Sequence, residues 1–123
     1  MNYNWKQEYL RVKKNNTEWN LFGISNLLDM ELFDPGSREI QEIPKEIGNL
    51  INLKKIILCH NLIQKIPKEI GNLINLRELL LGYNDIKNIP GKLKNLTKLQ
   101  CINLEGNNRV KYVPKLPNVK IEI

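Results

Sequence analysis

Apolar residues return along this chain at fixed places. The eleven residues from Ile43 to Leu53, IPKEIGNLINL, recur unchanged from Ile66 to Leu76, and a looser copy runs from Ile89 to Leu99 at the same offset of 23. Between the copies lie Leu53-x-x-Ile56-x-Leu58-x-x-Asn61-x-Ile63, then Leu76-x-x-Leu79-x-Leu81-x-x-Asn84-x-Ile86, then Leu99-x-x-Ile102-x-Leu104-x-x-Asn107. Self-similarity at such a period marks a stacked array in which one unit cannot bury its apolar face alone. Each copy predicts a short strand whose apolar positions point inward and stack on those of the next coil, about 4.8 Å away. Pro44, Pro67, Pro90 and Pro114 suit the start of a helical turn on the opposite side. Gly48 and Gly71 are expected to end that turn.

The ends depart from the pattern. Aligning residues 26–32 with Asn52 to Leu58 predicts a first strand over Leu27 to Leu32, followed by a three-residue insertion in the segment from Phe33 to Glu39. The fourth copy carries one extra residue near Asn108 and Arg109. After it, Val119, Ile121 and Ile123 alternate as in a half-buried strand. Residues 1–25 do not repeat. Trp5, Tyr9 and Val12 are spaced for an amphipathic helix beginning after Asn4, and a hairpin turning at Lys13 to Asn16 fits the same segment. In either form Trp5, Trp19, Leu21 and Phe22 read as a plug over the open end of the array. The organisation is a single domain: a cap at 1–25, about four repeats at 26–113, and a partial repeat at 114–123.

These motifs resemble the leucine-rich repeat family, in its 23-residue form with Ile-Pro-x-x-Ile-Gly-x-Leu on the outer side. The resemblance implies an α/β right-handed solenoid, or horseshoe, with a parallel β-sheet on the concave face and short helical or 3₁₀ segments on the convex face. It also implies that Asn61, Asn84 and Asn107 form a ladder of side-chain bonds to the backbone of neighbouring loops.

Composition narrows the function. With 123 residues there is little room for a second functional unit. No apolar run approaches the ~20 residues that span a bilayer, and the polar N-terminus is unlike a secretory signal, so a cytoplasmic protein is expected. The single histidine, His60, and two cysteines, Cys59 and Cys101, supply no catalytic triad and no metal-ligand spacing. No catalytic residue, metal or cofactor is assigned, and a non-enzymatic protein is expected. Cys59 and Cys101 lie two coils apart, roughly 10 Å, beyond the ~7 Å reach of a disulfide.

The concave positions remain. Counted from the expected first strand, a central column runs Glu31, Ile57, Leu80, Asn103, beside one of Asp29, Lys55, Glu78, Cys101 and another of Leu28, Lys54, Arg77, Gln100. Ile57 and Leu80 are large and apolar where solvent is expected, with His60 and Tyr83 alongside and Lys55 and Glu78 at the margin. An apolar centre with an aromatic neighbour and a charged rim suits a protein or peptide partner.

Charge offers a second reading. Residues 1–85 carry eleven Lys/Arg and eleven Asp/Glu, so the whole formal charge of +6 falls in the last 38 residues. This basic third could dock an acidic partner: an anionic membrane, an acidic protein or nucleic acid, the last disfavoured because no aromatic platform or arginine cluster accompanies the lysines. A third reading is a homo-oligomer formed through the C-terminal edge strand.

Overall fold

A computed structural model describes residues 29–35 and 39–123. The expected cap at 1–25 lies outside them. Five short strands, β1 (Leu32–Phe33), β2 (Lys55–Ile57), β3 (Glu78–Leu80), β4 (Cys101–Asn103) and β5 (Lys120–Glu122), form one parallel sheet in chain order. The 3₁₀ turns Lys45–Asn49, Lys68–Asn72 and Gly91–Asn95 line the opposite side among the described residues. This is the solenoid that the repeat predicted.

Each coil follows from its sequence. Pro44, Pro67 and Pro90 precede the turns in extended conformation, with ψ of 149°, 143° and 135°. Their carbonyls accept the first bonds of the turns, from the amides of Ile47, Ile70 and Leu93 at 3.1–3.2 Å. Five residues then suffice to bring the chain back toward the sheet. Ile47, Leu50, Leu53, Ile56, Leu58 and Ile63 point inward from one coil, Ile70, Leu73, Leu76, Leu79, Leu81 and Ile86 from the next, and Leu93, Leu96, Leu99, Ile102 and Leu104 from the third, none more than 4% exposed. Burying each such side chain contributes about 1.5–3 kcal/mol, and the coils above and below provide the burial.

Gly48 and Gly71 have a different role from the one expected. They lie within the 3₁₀ turns and permit close stacking. A Cβ on Gly48 would meet the Glu69 carbonyl oxygen at 2.7 Å, and one on Gly71 would meet Lys92 Cγ at 2.6 Å.

The first strand also differs. Leu32 pairs with Lys55 and Phe33 with Ile56, both 23 residues apart, so the strand does not follow the expected alignment and needs no insertion. Phe33, 8% exposed, fills the inward place held by Ile56 one coil later, and Ile40 and Ile43 are buried where Ile63 and Ile66 follow. Matching leucine to leucine put Leu32 at the level of Leu58; packing puts an aromatic ring inside and leaves Leu32 51% exposed.

The far end is altered twice. Asn88 lies opposite Tyr112, a spacing of 24 that absorbs the extra residue near Asn108 and Arg109. The outer turn is then cut to a tight bend, the Val119 amide donating to the Leu116 carbonyl at 3.0 Å, so β5 follows β4 by only 19 residues.

Where each strand bends away, an asparagine gathers the loose backbone groups. Asn84 Oδ1 accepts from the Ile63 amide of the previous coil at 3.0 Å, while its Nδ2 donates to the Leu58 carbonyl at 2.9 Å and the Leu81 carbonyl at 3.0 Å. Asn107 makes the same set with Ile86, Leu81 and Leu104 at 2.9–3.0 Å. Asn61 accepts from the Ile40 amide and donates to the Leu58 carbonyl, both at 3.1 Å. Groups that would otherwise be buried without partners are thereby bonded across coils.

Candidate recognition surface

Side chains alternate along a strand, so the residues between the buried positions share the concave face. Parallel pairing then sets their levels. Ile57, Leu80, Asn103 and Glu122 form the central column. Leu32, Lys55, Glu78, Cys101 and Lys120 form the column before it. Glu31 therefore does not join Ile57, and Asp29 does not join Lys55, because the strand register sets them three residues earlier than expected. Glu31 instead faces Lys54, their ion pair closing to 2.6 Å. That contact holds the Glu31 carboxyl below its usual pKa. The same correction moves Leu32 onto the face, diagonal to Ile57, so that Leu32, Ile57 and Leu80 give an apolar strip across three strands.

The expected rim residues are placed around this strip. Lys55 and Glu78 pair at 3.3 Å beside Ile57 and Leu80. Such exposed pairs contribute little stability, about 0–1 kcal/mol, and mainly order the surface. Asn103 donates through Nδ2 to Glu122 Oε2 at 3.1 Å, and its Oδ1 accepts from the Glu105 amide at 3.0 Å. The Cys101 thiol points at Glu122 Oε1, 3.6 Å away, and burial together with that carboxylate raises its pKa.

At the downstream edge His60 and Tyr83 stack with ring centroids 4.7 Å apart and planes 2° from parallel. Both have left-handed backbone, φ 60° and 57°, a conformation that costs a non-glycine residue about 1 kcal/mol or more. The equivalent residue of the next coil is Gly106, φ 76°. Its missing side chain matters twice, since a Cβ there would also collide with the Tyr83 ring at 2.5 Å. The phenol is thus covered by an imidazole on one side and by backbone on the other. What it presents is its edge and its hydroxyl, which donates to Glu105 Oε1 at 3.0 Å. That carboxylate raises the Tyr83 pKa. Amide bonds to the next coil hold the strained bend, from His60 to the Gly82 carbonyl at 2.9 Å and from Tyr83 to that of Glu105 at 2.6 Å.

Ile57, Leu80, Asn103, Lys55, Glu78, His60 and Tyr83 therefore share one surface, to which the structure adds Leu32, Glu105 and Glu122. The stack had a signal in the sequence: His60, Tyr83 and Gly106 are 23 apart, and the glycine in the third copy marks a left-handed position. Glu122 had none, because the shortened last coil breaks the period. Cys59 and Cys101 are free thiols in different columns. Among the described residues no three His, Cys, Asp or Glu side chains gather as for a metal ion, and no helix is long and apolar enough to cross a membrane.

Residues 10–121 match the family described as leucine-rich repeat region. Among solved structures, a leucine-rich repeat protein of Leptospira interrogans is similar at 32% identity and a TM-score of 0.72, over 77% of this chain and 26% of that one. The functional domain of InlJ from Listeria monocytogenes, described as including a cysteine ladder, is similar in fold at 21% identity and a TM-score of 0.61, over 70% of this chain and 18% of that one. The chain thus spans about a quarter or less of the length of either. No curated protein sequence matches it.

Proposed function

Because the chain belongs to the leucine-rich repeat family, whose members serve generally as protein-interaction modules, we propose that its concave sheet binds a partner protein or peptide without catalysis. The observation that carries this reading is the adjacency of the apolar strip Leu32, Ile57 and Leu80 to the stacked His60–Tyr83 ledge. Backbone strain concentrated beside a half-buried apolar centre is a feature of surfaces built for ligands. Arg77, which makes no ion pair among the described residues, lies before the strip and Glu105 beyond it. A segment that suits this face has an apolar side chain for Ile57 and Leu80, flanked by charges complementary to Arg77 and Glu105.

Free thiols at Cys59 and Cys101 support a reducing, cytoplasmic setting. The reading is tested by capturing partners from native lysate, purifying the captured protein, and titrating it against wild type, Leu80→Asp and Tyr83→Gly. Tyr83→Gly removes the ring while suiting the left-handed backbone. Weaker binding by both variants, each with wild-type circular dichroism, supports the concave site; unchanged affinity places binding elsewhere.

A further inference from the structure

The positive charge of this molecule has a definite place. No Asp or Glu occurs between Ile86 and Leu104, nor between Gly106 and Ile121. The two acids of the last coils, Glu105 and Glu122, both face the concave side, where one receives the Tyr83 hydroxyl and the other the Asn103 amide. Of the cations, Arg109 is paired with Asp85 and Lys120 with Glu122. Lys92 and Lys98 donate to neutral partners, the carboxamides of Asn72 and Asn75. Lys87, Lys94, Lys111 and Lys115 make no ion pair among the described residues.

These lysines are neighbours. The Lys111 amide donates to the Lys87 carbonyl at 2.8 Å, and the next residue, Tyr112, accepts from the Ile89 amide at 3.2 Å. Tyr112 is 55% exposed beside them. Lys92 and Lys94 follow on the last 3₁₀ turn, which holds no acid, whereas the two earlier turns set Glu46 against Lys45 and Glu69 against Lys68. Apart from Lys120, which lies in a concave column against Glu122, these lysines lie on or next to the outer segments of the last two coils.

We propose that this outer face docks the chain on an anionic lipid bilayer. Four to eight lysines near one surface is the quantity that holds a protein to acidic headgroups, and a tyrosine among them is a side chain that settles at the headgroup level. Nucleic acid suits the face less. Tyr112 is its one exposed aromatic among the described residues, so successive bases find no stacking platform, and its one guanidinium, Arg109, is engaged by Asp85. Docking by the convex side leaves the concave sheet facing away from the lipid.

The test is co-sedimentation of the full chain with phosphatidylcholine vesicles containing about one third phosphatidylserine, against vesicles of phosphatidylcholine alone. Wild type is expected to sediment only with the acidic vesicles and to be released as salt rises. Lys94→Glu/Lys111→Glu/Lys115→Glu should weaken partitioning about tenfold or more. Lys45→Glu/Lys65→Glu/Lys68→Glu, which changes net charge equally on the earlier coils, should change it less than about threefold. Circular dichroism checks the fold of both variants. The proposal is overturned by equal losses in the two variants, by no sedimentation with acidic vesicles, or by tighter binding to a single-stranded oligonucleotide than to the vesicles in the same buffer.

Discussion

Down the inward columns of the sheet the three middle coils place nearly the same side chain: Ile56, Leu79 and Ile102 in one, Leu58, Leu81 and Leu104 in the next. On the concave face of the same strands the chain changes residue at each step, through Lys55, Glu78 and Cys101 or Ile57, Leu80 and Asn103. The two sets lie one residue apart and differ in what their neighbours demand. An inward side chain fills a cavity bounded by identical coils, so the repeat must conserve its shape. A concave side chain meets solvent or a partner, and nothing in the array dictates its identity.

Truncation of adjacent residues gives the widest separation of the two sets. Leu79→Ala opens a cavity in the middle coil and should cost about 2–5 kcal/mol in urea unfolding. Leu80→Asp, one residue away, should cost about 1 kcal/mol or less while abolishing partner binding. Asn84→Ala comes next, because it leaves the Ile63 amide without its acceptor and the Leu58 and Leu81 carbonyls with only their bonds from Asn61 and Asn107. A loss of about 1–3 kcal/mol is expected by thermal or urea melting, with partner affinity preserved once the protein is folded.

The outer turns allow a comparison in which the sign changes. Gly48→Ala drives a methyl group against the Glu69 carbonyl and should destabilise by about 1–3 kcal/mol. Gly91→Ala meets nothing within 4 Å and should stabilise by about 0.4–1 kcal/mol by restricting the unfolded chain. Paired melting curves read both. The smallest effect is at Cys101. Its pKa is raised in the fold, so the protonated thiol is favoured and that contribution is present at neutral pH and lost as pH climbs through the folded pKa. In a Cys59→Ser background, alkylation of Cys101 should therefore begin at higher pH than alkylation of the same protein unfolded in urea, and Glu122→Gln should move its onset back down.

Most of the array was legible because repetition reports on packing: the strands, the outer turns and the asparagines recur wherever a coil must meet its copy. Legibility failed where one coil solves the problem differently. Phe33 does the work of an isoleucine, which hid the register of β1 and displaced Glu31 and Asp29 from the columns expected for them. The shortened final coil hid Glu122 from the central column. For the site, Ile57 and Leu80 stood out because they are apolar where polarity is expected. The stacking of His60 on Tyr83 required a backbone conformation that the first two copies conceal and only Gly106 discloses.

The central claim is that the variable concave columns, and not the repeated inward ones, recognise the partner. Isothermal titration of the purified partner into wild type and Leu80→Asp, at matched folded fractions, addresses it most directly. The account predicts an affinity loss of about thirtyfold or more for Leu80→Asp, as for a residue at the centre of an interface. Equal affinities would contradict it.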